Sequence, residues 1–175
     1  MNRRSLLASC MGSMLLSSGP AFATSPDPIY LNVRTIVLFL RIVSNEKEYI
    51  TKIPRSEMQD RLVQFMHTEL VQGALQVRVF DRNTYQQPPD YPSAWVLWLE
   101  CRVDLATAPA DGASAKTVGV ASVVLRRDEG EFVSREPFEV FVVQKDDGGL
   151  ISAVEAAARE VLRRSVLNFV LRFNQ

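Results

Sequence analysis

A serine or cysteine nucleophile works only with a base inside hydrogen-bond reach. This chain of 175 residues has one histidine, His67, and two cysteines, Cys10 and Cys101. Cys101 alternates with Leu97, Leu99 and Val103, the setting of a small buried apolar side chain. His67 lies one residue, about 100° of helix, from Met66, at the edge of an apolar stripe. That makes it a helix-surface residue. Asp128, Glu129 and Glu131 share a charged turn, whereas a working acid–base pair needs burial to split its two pKa values. Gly148-Gly149 precedes a helix without the rest of a phosphate-binding loop. One histidine and no cysteine cluster provide no zinc site of the usual kind. The expectation is a protein that is not an enzyme, with no catalytic residue, metal or cofactor.

The aromatic residues point elsewhere. Tyr85 and Tyr91 lie in a stretch, 82–93, that holds Pro88, Pro89 and Pro92 and must be a loop. Trp98 falls on the opposite face of its strand from Trp95. Large amphipathic side chains on loops and open sheet faces favour contact with partners. Trp98, Tyr85 and Tyr91 are therefore the candidate partner-binding residues. The competing reading is that Trp98 packs under the loop as a small local core.

These residues need elements to hold them. Residues 29–43 alternate at first and are then solidly apolar from Ile36 to Leu40, as in a strand entering a covered region. A helix follows Pro54, with Ser56 and Gln59 spaced as a capping box. Met58, Leu62, Phe65, Met66 and Leu70 form one helix stripe, and Gly73 stops it. Residues 75–79 alternate as a short strand. In 94–105, Trp95, Leu97, Leu99, Cys101, Val103 and Leu105 point one way. Residues 117–127 and 132–144 are two further β-rich runs, and Pro137 marks the second as an edge or bulged strand. Residues 150–173 form a long amphipathic helix whose stripe runs from Leu150 to Phe169 and Phe173. The fold expected is a two-layer α+β sandwich: a mostly antiparallel sheet of about five strands with two helices on one face.

Composition agrees with one globular domain. Hydrophobic residues make up 47% and charged residues 23% of the chain, so a core can form. Twenty basic and 20 acidic side chains give a net charge of zero, with no general attraction to nucleic acid. Residues 1–23 have the order of an export signal. Arg3 and Arg4 come first, then an apolar stretch from Leu6 to Leu16, a break at Ser17-Ser18-Gly19-Pro20, and Ala21-Phe22-Ala23 as the small-x-small cleavage site. The stretch is too short for a bilayer span, which needs about 20 apolar residues. Arg3-Arg4-Ser5-Leu6-Leu7 also resembles a twin-arginine signal, so two export routes stay open. Leu7-Ala8-Ser9-Cys10 resembles a lipoprotein box. Only five residues separate Arg4 from Cys10, which favours cleavage after Ala23. Lipid on Cys10 would tie the protein to a membrane. Residues 24–175 would then be a single domain with one thiol and no internal disulfide.

The first helix ends at Gly73 before Leu75-Gln76-Val77-Arg78-Val79. Residues 95–105 are followed by two more strands, and the last helix carries Ala156-Ala157-Ala158 in its middle. In this order, behind an export signal, the chain resembles two groups of Gram-negative envelope proteins. One is the lipopolysaccharide-assembly lipoprotein that plugs the outer-membrane translocon; the other is the ABC-type transport auxiliary lipoprotein. No functional residue carries over from either. The resemblance implies a periplasmic, non-enzymatic accessory protein of an envelope assembly or transport system, binding a partner protein or lipid-like cargo. The alternative is a soluble small-ligand carrier with a pocket between helices and sheet.

Overall fold

In the computed structural model, the structure describes residues 27–44, 52–108, 116–127, 130–144 and 149–174. The leader with Cys10 and Ala23, the carboxylates at 128 and 129, and Gly148 lie outside them. Five strands and two helical segments follow the expected order: β1 (Thr35–Ser44), α1 (Arg55–Gln72), β2 (Arg78–Asp81), β3 (Val96–Ala108), β4 (Lys116–Arg127), β5 (Val133–Gln144) and α2 (Leu150–Leu162). A π turn, Arg163–Leu167, then leads into α3 (Asn168–Phe173). Among the described residues, no helix is long and apolar enough to cross a membrane.

The α+β class, the five strands and the helices on one face stand. The pairing is more mixed than the sequence suggests. The strand order is β2-β1-β3-β4-β5. β3, β4 and β5 form the antiparallel meander, but β1 is parallel to both β2 and β3. Parallel neighbours need crossovers. The first crossover is α1, which covers one face of the sheet. The second, residues 82–95, runs back over β1 from β2 to β3 on the other face. Right-handed crossovers that travel in opposite directions across a sheet must lie on opposite faces.

The helix-covered face is the main core. Ile36, Leu38 and Leu40 of β1, Leu97, Leu99, Cys101 and Val103 of β3, and Ala121, Val123 and Leu125 of β4 meet Met58, Leu62, Met66 and Leu70 of α1. Val154, Ala158, Val161 and Leu162 of α2 complete it. Where short β2 stops, α1 side chains finish the edge of β1. Leu40 N donates to Gln59 Oε1 (3.0 Å), and Arg55 Nε donates to Leu40 O (2.8 Å). Gln59 is thus buried in the sheet edge and is not part of a capping box; α1 begins at Arg55 without a side-chain cap. Gly73 does end α1, but the left-handed residue is Ala74 (φ 60°). Gly73 instead admits Leu171, whose methyl fills the space a Cβ would take.

Pro137 acts as expected. β5 is an edge strand, and its register on β4 slips between the pairs Ala121–Glu139 and Val123–Arg135, so extra β5 residues bulge around the proline. The approach to β1 differs from expectation. Residues 28–30 make one 3-10 turn, and Asn32 (φ 55°) breaks the extended run before β1. This turn places Tyr30 in the core, stacked on Phe169 at 5.0 Å. Its hydroxyl donates to Ser165 O (2.6 Å) inside the π turn. A π turn inserts one residue and rotates everything after it, so Val166, Leu167 and Val170 are buried while Phe169 and Phe173 are only partly covered. Tyr30→Phe is expected to keep the fold and to lower stability by about 1–2 kcal/mol, because the turn carbonyl loses a buried donor. Urea unfolding of the two chains side by side measures this.

Candidate functional site

The second crossover builds a small core of its own. Thr35, Val37 and Val96, on the face away from the helices, are buried beneath residues 82–95. Phe80 and Tyr85 rings meet at 5.3 Å, and Tyr85 meets Trp98 edge-on at 5.7 Å. Trp98 is therefore half-buried under the loop. Tyr91 packs edge-on against Trp95 at 5.5 Å, and its hydroxyl lies 3.0 Å from Thr35 Oγ1. The Tyr85 hydroxyl is shielded from solvent and makes no hydrogen bond among the described residues; burial, and then neighbouring Tyr91, raise its pKa.

Between loop and sheet opens a cleft of about 610 Å³, walled by Phe80, Tyr85, Pro88, Tyr91 and Trp95 and floored by Thr35. Arg34, Arg78, Gln76, Thr84 and Gln86 supply its polar lining, and among the described residues no carboxylate lines it. It sits at the starts of β1, β2 and β3. Hydrogen bonds from Arg78 N to Arg34 O and from Arg34 N to Trp95 O, each 3.0 Å, tie its sides together. Of the three residues singled out in the sequence, Tyr85 and Tyr91 line this cleft. Trp98 lines a neighbouring hollow of about 210 Å³ with Phe39, Arg82, Arg126 and Phe132. The Arg55 and Arg82 guanidinium groups lie over the Phe39 ring at 4.7 and 5.1 Å.

Trp95 was expected on the core face and is not there. Pro92 starts a 3-10 turn, Ser93–Trp95, and β3 begins only at Val96, so strand alternation does not extend back to Trp95. It is 42% exposed and forms one lip of the cleft. Arg34 and Arg78 were also missed. Strand alternation does not distinguish them from ordinary surface arginines, and only the path of the crossover places both on the cleft. The pocket expected between helices and sheet lies elsewhere: that interface is filled by the buried side chains of the main core, and the cleft opens on the opposite face.

Cys101 and His67 do not meet. Cys101 is fully buried, and burial, with a smaller push from Glu100, raises its thiol to about 12. His67 is exposed on α1. On the same sheet face as the cleft, β5 leaves Phe138, Val140 and Val142 exposed (48%, 61% and 59%). Val140 pairs with Val120 and Val142 with Val118, so the apolar strip continues onto β4.

Fold and site together define a two-layer α+β domain with an aromatic, arginine-edged cleft on the face its helices leave open. No family model matches the sequence, and no curated protein matches it. Among solved structures, the chain is similar to a minor lipoprotein from Acinetobacter baumannii, with a TM-score of 0.36 and 12% identity over 82% of this chain and 92% of that one. It is also similar to a protein from Helicobacter pylori described as a homologue of a neuraminyllactose-binding hemagglutinin, with a TM-score of 0.29 and 12% identity over 81% and 82%. Likeness at these TM-scores carries no conclusion about function.

Proposed function

We propose that this is a non-enzymatic accessory protein of the bacterial envelope, exported to the periplasm, that binds lipid-like cargo in the cleft beneath residues 82–95. The cleft carries this reading. Its volume lies within the range of small-molecule sites, and its lining combines aromatic rings with polar side chains. The leader pattern at 1–23 supports export. The separation of exposed His67 from a protonated, buried Cys101 supports a role without covalent catalysis. Trp95 gives the test, because it is half-exposed and its loss leaves the main core intact. Organic extracts of the purified wild-type chain are expected to yield a bound amphiphile by mass spectrometry. Trp95→Ala should hold about tenfold less, as loss of one aromatic wall costs about 1–1.5 kcal/mol of binding. Its urea midpoint should stay close to that of the wild type. Equal yields from both chains would remove the cleft as the cargo site.

A second reading rests on β5. An edge strand with exposed Phe138, Val140 and Val142 suits a protein partner, through strand addition or packing on its apolar strip. Val140→Lys would then abolish cross-linking to an envelope protein in cells while cargo stays bound.

A further inference from the structure

We propose that the occupant of the cleft is a small anionic amphiphile: one molecule with a single oxyanion group on a flat apolar body. This rests on the cleft being the binding site and adds the charge of its ligand. Arg34 and Arg78 line the cleft, both are exposed, and neither pairs with a carboxylate among the described residues. The whole chain is electrically neutral, so this positive charge is local. The arginines start from neighbouring strands whose backbones are hydrogen-bonded at this point (Arg78 N to Arg34 O, 3.0 Å), which brings both residues to the same end of the cleft. Two guanidinium groups free of carboxylates are the donors that a carboxylate, sulfonate or phosphate ester accepts from.

The aromatic lining selects the other half of the molecule. Trp95 and Tyr91 brace each other edge-on, and Tyr85 is braced by Phe80. Rings held in this way keep the cleft open and offer flat faces to an apolar body. A cation would also suit aromatic faces, but the two arginines repel it. A space of about 610 Å³ takes one small molecule, whereas a helix about 10 Å across would need a longer groove.

Two dyes separate charge from shape in the purified full chain: anilinonaphthalene sulfonate, which has the oxyanion, and phenylnaphthylamine, which lacks it. The wild type is expected to bind one sulfonate dye per chain, more weakly as salt rises. The paired substitution Arg34→Gln with Arg78→Gln should weaken the sulfonate dye at least tenfold, change the neutral dye less than about twofold, and remove the salt dependence. Both arginines are exposed, so circular dichroism should show an unchanged fold. Trp95→Ala should weaken both dyes. If Trp95→Ala weakens both while the paired variant weakens neither, or both alike, the anionic ligand is refuted and the cleft remains. If Trp95→Ala weakens neither, the dyes sit elsewhere, and the cleft reading falls with the inference built on it.

Discussion

Raising the pH from about 9 to about 12 is expected to withdraw several kcal/mol of stability through two buried acids. Cys101 is fully buried, and its thiol is raised from 9.0 to about 12, first by burial and then by Glu100. Tyr30 is almost wholly buried, and burial raises its phenol from 10.0 to about 12 against the pull of the Arg135 guanidinium. Both folded-state values lie above the unfolded ones. Below about pH 9 the contribution of the two groups is whole. Above it the unfolded chain gives up protons that the folded chain keeps, so stability falls until the folded groups ionise near 12. Each pH unit between the two values is worth about 1.4 kcal/mol, which makes the loss about 4 kcal/mol for Cys101 and about 3 kcal/mol for Tyr30. A domain of this size has about 5–15 kcal/mol in total, so alkali should bring it close to unfolding. Urea midpoints from about pH 8 to about pH 11.5 read the slope directly. Cys101→Ala should start lower at pH 8 yet fall less steeply, and Tyr30→Phe should flatten the curve above about pH 10. Slopes equal to the wild type in both variants would mean that burial of these groups does not govern the alkaline limb.

The same buried residues mark what the sequence could reveal. Alternation from Leu97 to Leu105 and the helix stripe of Met58, Leu62, Met66 and Leu70 place side chains correctly, because one period governs one covered face. Periodicity says nothing of which strand pairs with which. The parallel placement of β1 between β2 and β3 therefore stayed hidden, and with it the crossover that forms the cleft. Tyr85 and Tyr91 were legible through loop composition. Arg34 and Arg78 were not, since an arginine in a cleft and one in solvent look alike in a strand pattern. Trp95 shows the limit of extrapolating a period: the count was right from Val96 onward and failed at the proline-led turn before it. In the last helix the stripe drifted for a similar local reason, the single residue inserted at the π turn.

Gly119 should show a reversal of sign that no strand pattern predicts. It lies in the interior of β4, opposite Phe141 of β5, and is buried on the helix-covered face. A Cβ built on it would overlap the Phe141 ring, which lies across the glycine and packs against the main core. Glycine in a strand interior is normally a liability, because it packs nothing and costs backbone entropy. Here the missing Cβ is the seat for an aromatic ring. Gly119→Ala in the otherwise wild-type chain must push that ring off the core. Losing its burial and crowding its neighbours should destabilise by about 2–3 kcal/mol. Phe141→Ala alone should cost a similar amount by emptying the seat. In the Phe141→Ala background nothing stands over residue 119, and the ordinary preference for alanine returns. There Gly119→Ala should stabilise by about 0.5–1 kcal/mol. The coupling between the two sites is then about 3 kcal/mol, as expected only of residues in direct contact. Equal destabilisation by Gly119→Ala in both backgrounds would mean that the glycine is required by the backbone and not by the ring.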